Sequence, residues 1–259
     1  MENQQAHSNS AQTVVLKILR QDGPGEPSYW DTFEVPKVPY MNVLSCLVEI
    51  RKRPVNQKGE TVRPVVWESA CLEEVCGACT MLINGKVRQS CSALVDRFPG
   101  VIELRPMTKF PVVRDLVVER KKIFNDFKKV HAWVDIDGTH ALGPGPRQSP
   151  ALAETRYALS RCMACGCCLE VCPNYGEHSS FIGAAPINQV RLFQLHPSGA
   201  MHGEERLRAL MEPGGVQDCG SAQNCVRACP QHIPLTTSIA DMMRETTKQG
   251  LLGLLRKPG

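Results

Sequence analysis

The sequence predicts an α+β chain in two halves, strands around one helix first and short helices afterwards. Three observations carry this. Compact β-branched runs and an Asn84-Gly85 pair lie before residue 105. Helical spacing of apolar residues dominates after residue 150, where no strand pattern of comparable quality occurs. Eleven of the thirteen cysteines fall into three tight groups, one in the first half and two in the second, leaving Cys46 and Cys91 apart.

The elements follow in order. Val14 to Leu19 is an apolar, β-branched run, and Thr32 to Val35 a weaker one. Asn42 is placed to cap a helix from Val43 to about Arg53, ended before Pro54. Asn84-Gly85, between Met81 and Val87, signals a two-residue hairpin loop. Val101 to Leu104 reads as a further strand, and Val112 to Lys129 as a long amphipathic helix. Asp137-Gly138 and Gly143-Pro144-Gly145-Pro146 mark a turn or linker. Helices are then expected at Leu152–Ser160, Pro186–Leu195, Gly203–Met211 and Thr236 to about Gly250. The four leucines from Leu251 to Leu255 are expected to form the buried end of that last helix.

A chain of 259 residues buries a core without covalent staples, so cross-linking does not explain thirteen cysteines. Their number is odd, and Met1 to Gln12 is polar, without the charged-then-apolar pattern of a secretory leader. No apolar run approaches the about eighteen residues that span a bilayer. In a reducing compartment, clustered cysteines bind metal or do redox work. The net charge of +4 is too modest for a nucleic-acid binder. The short basic groups Arg51-Lys52-Arg53 and Arg120-Lys121-Lys122 read as solvated helix faces.

Cys71, Cys76 and Cys79, followed by Cys91, give C-x4-C-x2-C and a distant fourth cysteine. This is the plant-type [2Fe–2S] spacing. Two bridging sulfides give each iron half of a tetrahedron, and four thiolates complete both irons. Three of the ligands share one nine-residue loop, which Gly77 lets wrap closely, and the Asn84-Gly85 hairpin returns the chain to supply Cys91. A four-cysteine zinc site more often uses two separated knuckles.

Cys162, Cys165, Cys168 and Cys172-Pro173 form the C-x2-C-x2-C-x3-C-P run of bacterial ferredoxins, whose fourth cysteine ligates the other cluster. Cys219, Cys225 and Cys229-Pro230 match the first, third and fourth positions of a second such run, with Ala222 at the second position. By the crossing rule Cys162, Cys165, Cys168 and Cys229 are expected to hold a [4Fe–4S] cluster. Cys172, Cys219 and Cys225 remain for the other, and alanine binds no iron, so [3Fe–4S] is expected there. Cys46 lies among Leu44, Leu47 and Val48 as a packed core thiol, and Cys167 falls outside the register.

This order of one plant-type loop, one complete cubane run and one run lacking a cysteine resembles the iron–sulfur subunits of succinate dehydrogenases and fumarate reductases. Cys76-Gly-Ala-Cys79-Thr-Met-Leu-Ile-Asn-Gly85-Lys86, Arg105-Pro-Met107 and Phe110-Pro-Val-Val-Arg-Asp-Leu-Val117 are similar to stretches of that family. The likeness runs from about Thr13 to Lys248, and Gly143-Pro-Gly-Pro-Arg147 and Pro197-Ser-Gly-Ala-Met201 look most like enzymes of Gram-positive bacteria. It implies a β-grasp [2Fe–2S] ferredoxin domain over 12–111 and an all-helical two-cluster ferredoxin domain over 112–259. It implies a flavoprotein partner that oxidises succinate on FAD and a membrane anchor that reduces quinone. Electrons would pass from FAD through [2Fe–2S], [4Fe–4S] and [3Fe–4S] to haem or quinone.

Many ubiquinone-reducing relatives place a Trp shortly after the Cys-Pro at 172–173 and a His after the cysteine at 219. Here Tyr175, Gly176 and Glu177 occupy the first stretch and Gly220 the second position. Haem in a cytochrome b anchor and menaquinone are therefore the expected acceptors. Without a transit-like leader the expected place is the cytoplasmic face of a bacterial membrane, held peripherally by the anchor. No catalytic residue is expected: the seven histidines (His7, His131, His140, His178, His196, His202, His232) are scattered without ligand spacing. The competing readings are a fumarate reductase running in reverse and a non-enzymatic metal-binding redox module.

Overall fold

The computed structural model describes residues 12–135 and 147–255. The polar start, His7, His140 and the Asp137-Gly138 and Gly143–Pro146 turns lie outside the described residues. The first half is a five-stranded sheet in the order β2-β1-β5-β3-β4. These strands are β1 (Thr13–Arg20), β2 (Tyr29–Pro36), β3 (Thr80–Ile83), β4 (Lys86–Gln89) and β5 (Ile102–Arg105). β1 pairs antiparallel with β2 and parallel with β5. Strict alternation puts Val14, Leu16 and Ile18 on one face, where they are buried.

Helix α1 (Val43–Lys52) covers that face through Val43, Cys46, Leu47 and Ile50. Its start is set by Asn42, whose Oδ1 accepts from the Ser45 amide at 2.8 Å. Arg51 and Lys52 in its last turn complement the helix dipole. Cys46 is fully buried, and desolvation pushes its thiol up to about 12, as befits a core residue. Asn84 and Gly85 both take positive φ (48° and 74°), which a tight hairpin between twisted strands requires.

The expected helix over 112–129 is only half present. Its first part is a hairpin, β6 (Val112–Arg114) with β7 (Val117–Val118), and helix α2 occupies Lys121–Lys129 alone. Valines 112, 113, 117 and 118 suit paired strands. Asp115, at φ 47°, turns the chain between them. Its carboxylate is fully buried against Arg20, accepting from Nε at 2.8 Å and Nη2 at 3.2 Å. Helical periodicity does not register this long-range pair. Leu116 packs into the first core, while Val118 packs into the second.

The second half is built from α3 (Pro150–Ser160), α4 (Cys167–Glu170), α5 (Ala184–Gln194), α6 (Gly203–Met211), α7 (Asn224–Ala228) and α8 (Leu235–Leu255). α5 is the central member, buried through Ala184, Ala185, Ile187, Asn188 and Val190 and packed on α8 and α3. Asn188 donates to the Leu159 carbonyl and accepts from Ser238, tying the three helices together. α4 and α7 have fewer than two turns, too short to show a period. The four leucines at the end of α8 are exposed rather than buried, because the core ends near Thr246 and the helix runs on beyond it. No helix among the described residues is long and apolar enough to cross a membrane.

Of the basic group at 120–122, Lys121 is exposed as expected, but its two neighbours are engaged. Arg120 bonds to the first cysteine loop, and Lys122 pairs with buried Asp126 at 2.9 Å while lying over the Tyr175 ring. Arg51 lies over Trp67, 5.6 Å from the ring centroid.

Candidate metal centres

The chain from Cys71 to Cys79 forms no regular element, and its turns use positive φ at Leu72, Glu74 and Gly77. These turns aim amides at sulfur. Glu73 N and Val75 N donate to Cys71 Sγ at 3.3 and 3.4 Å, and Ala78 N donates to Cys76 Sγ at 3.4 Å. The amide of Glu73, then that of Val75, holds the Cys71 thiol down to about 7. Cys79 and Cys91 lie deeper, packed with Leu44. Burial, with the neighbouring Cys79 thiol, pushes Cys91 up to about 12. Cys71 lies in hydrogen-bonding reach of Cys76, as Cys91 does of Cys79, and Cys91 also feels Cys71, so these four thiols share one neighbourhood. Asn42 Nδ2 donates to the Cys91 carbonyl at 2.9 Å, so the cap of α1 also fixes the fourth cysteine.

In the helical half the thiols gather around two cavities. Cys162, Cys165, Cys168 and Cys229 line one. Cys172, Cys219 and Cys225 line the other, with Ala222 in the wall beside them. α4 separates the two: Cys168 on it faces the first cavity, and Cys172, just past its end, the second. α7 does the same in reverse with Cys225 and Cys229. Burial, then the neighbouring Cys165, Cys162, Cys229 and Cys225, drives the Cys168 thiol well above its ordinary value. Several thiolates cannot share such a space unless cationic metal compensates them. The lining holds sulfur donors and neither carboxylate nor imidazole, a soft set that suits iron–sulfur clusters or zinc.

Cys167, buried and outside both cavities, bonds to Cys165, and Gln89 Nε2 on β4 donates to its sulfur at 3.4 Å. The thiol of Cys167, followed by the penalty of burial, leaves Cys165 at about 7. No described histidine lines either cavity; His131 faces Glu205 at 3.3 Å and His202 faces Asp135 at 2.9 Å.

The first loop lies directly on the second site. A Cβ at Gly77 would stand 2.5 Å from Cys165 Cβ, and Gly77 has φ +72°. Gln231, two residues after Cys229, donates to the Glu74 carbonyl at 2.9 Å. Gly77→Ala should cost at least about 1–2 kcal/mol, since it adds left-handed strain to a backbone clash. The check is a melting midpoint lowered further than that of Gly59→Ala, where positive φ also strains an alanine but nothing lies within 4 Å. An equal loss in both would assign the effect to φ alone. Arg120, Gln89 and Gln231 have no motif of their own; the only sequence hint for the last two is their position two residues from a cysteine.

The comparisons agree with this geometry. A family model described as a 2Fe-2S iron-sulfur cluster binding domain matches residues 15–125, and one described as a 4Fe-4S dicluster domain matches residues 158–233. The fold and its thiol groups thus define a two-module iron–sulfur protein of the ferredoxin class. The chain is 56% identical, over 92% of its length and 94% of the relative's, to the succinate dehydrogenase iron-sulfur subunit of Bacillus subtilis. It is 29% identical to the fumarate reductase iron-sulfur subunit of Wolinella succinogenes, over 89% of this chain and 95% of that one. Among solved structures, the Mycobacterium smegmatis Sdh1 complex in the apo form contains a chain of the same fold, with TM-score 0.74, 22% identity and coverage of 93% and 98%. The chain belongs to the family of succinate dehydrogenase and fumarate reductase iron–sulfur subunits.

Proposed function

We propose that this chain is the electron conduit of a succinate dehydrogenase, standing between a flavoprotein that oxidises succinate on FAD and a cytochrome b anchor that reduces menaquinone. In this reading Cys71, Cys76, Cys79 and Cys91 hold [2Fe–2S]. Cys162, Cys165, Cys168 and Cys229 hold [4Fe–4S], and Cys172, Cys219 and Cys225 hold [3Fe–4S]. When bound, the clusters supply one-electron carriers. The chain's own residues do the rest. Amides of Glu73, Val75 and Ala78 fix two sulfurs of the first loop. The short helices α4 and α7 each carry thiols to both cavities, which sets the spacing of the second and third sites.

The observation that carries the reading is the grouping of thiols around those two cavities, with alanine at one corner of the second. The proposed units, 12–111 and 112–259, are supported by the hairpin between them, whose Leu116 packs into the first core and Val118 into the second. The preference for haem as the next acceptor is supported by Tyr175, a buried core residue packed on Phe110 and bonded to Asp126. It is supported also by Gly220, where a Cβ would already meet Asn174 at 3.0 Å. A quinone-site inhibitor mapped beside the third cluster would overturn that preference. The protein would lie peripherally on the cytoplasmic side of a bacterial membrane.

Metal and sulfide analysis of the anaerobically purified complex tests the whole reading. About nine irons and ten acid-labile sulfides per copy of this chain are expected, after allowance for any haem iron. Zinc without sulfide would replace this reading with a metal-binding module. Redox titration of the clusters against the bound quinone decides between succinate oxidation and fumarate reduction.

A further inference from the structure

Among the side chains around the thiol groups, one charged residue touches the first loop from the second half of the structure. We propose that Arg120 is the positioning residue that joins the first and second cluster sites, clamping Gly77–Ala78 onto Cys165 and placing a positive charge between the two thiol sets. The inference rests on the ligand assignment above and concerns a residue which that assignment does not use.

The geometry is specific. Arg120 Nη1 donates to the Gly77 carbonyl at 2.8 Å and Nη2 to the Ala78 carbonyl at 2.6 Å. Those are the two residues between Cys76 and Cys79. Gly77 is also the residue pressed against Cys165, so the clamp and the contact share a peptide. The side chain is only 16% exposed. Its Nε is buried and has no hydrogen-bond partner in the protein, a spare donor in a region whose acceptors would be thiolate and sulfide. Glu68, the nearest carboxylate, stands 3.5 Å from Nη2 but is half exposed, so it neutralises the guanidinium only partly. The position is fixed from behind, because Arg120 lies two residues past the 112–118 hairpin and is the N-cap residue of α2. Cys165 in turn feels its charge.

Two consequences follow. An added electron is negative charge, and a partly buried cation beside both sites favours it, so Arg120 raises the reduction potentials of the first two clusters. The paired hydrogen bonds need the planar fork of arginine, which lysine does not reproduce. The clamp therefore also fixes how closely the two clusters approach.

The test uses the assembled complex carrying Arg120→Gln or Arg120→Lys, with potentials and spin–spin relaxation read by electron paramagnetic resonance. Arg120→Gln should lower the potentials of the first and second clusters and leave the third unchanged. Arg120→Lys should keep both potentials near the parent values yet weaken the relaxation coupling between the two clusters. Unchanged potentials in Arg120→Gln, or an equal shift of all three clusters, would overturn the proposal. If Arg120→Gln does not assemble, Arg120→Lys decides: coupling equal to the parent's overturns it. Failure of the ligand assignment itself would appear instead in the parent complex, as missing iron and sulfide.

Discussion

Ala222→Cys should abolish most of the oxidised [3Fe–4S] paramagnetic signal and add about one iron per chain. Ala222 stands in the wall of the cavity formed with Cys172, Cys219 and Cys225. In the repeat of the cysteine run it occupies the position that Cys165 fills in the first. The residues on either side, Ser221 and Gln223, both take positive φ (53° and 58°), so the loop bends sharply at this point. Cysteine is the smallest side chain that brings a thiolate to the corner, and at a pre-bent loop it needs no backbone change. Conversion to a four-iron cluster is thus the expected result, read by metal analysis and by the loss of the oxidised signal. An unchanged signal with unchanged iron would mean that residue 222 is not the missing corner, and the register of the second run would have to shift.

The second large effect concerns stability. Asp115→Ala should cost about 3 kcal/mol, because it strips the fully buried Arg20 guanidinium of its hydrogen-bonded counter-ion and leaves it Asp31, 3.6 Å from Nη1. The carboxylate also accepts from the amides of Gln21 at 3.2 Å and Val66 at 2.9 Å, so two separate segments, 20–21 and the one at Val66, lose their common partner. The melting midpoint should fall on the order of 10 °C. A charge-removing double change, Arg20→Met with Asp115→Leu, should lose less than the two single changes combined, since the hydrogen-bonded pair is removed together and Asp31, which loses its partner, retains some access to solvent. Additive losses in the cycle would show that the ion pair is not what holds the hairpin to the sheet.

The first half of the fold was legible because its signals are local. Asn42 is a side-chain cap, Asn84-Gly85 is a turn with required backbone angles, and β1 alternates strictly. The cysteine spacing was legible for the same reason, since ligand loops must be short to surround a cluster. What escaped was decided at long range. Residues 112–118 have apolar spacing compatible with a helix, and long-range partners, the Arg20–Asp115 pair 95 positions apart and the Gln21 and Val66 amides, favour the hairpin. The basic triplet at 120–122 looks solvated in isolation, yet only Lys121 is exposed, while the loop at 77–78 engages Arg120 and Asp126 engages Lys122. The leucines closing α8 have a buried composition but no core left to enter. Gln89 and Gln231 reach across the joint between the halves, and sequence spacing carries no record of that contact.

The exchange of one thiol between the two halves of the helical unit bears on how the molecule is made. On the proposed assignment the [2Fe–2S] ligand set is complete once synthesis reaches Cys91, long before the second half has left the ribosome. Neither of the other two sets closes until Cys225 and Cys229 emerge. On that assignment the first set of ligands can be completed without the helical half, whereas the other two can be completed only through the same few closing residues.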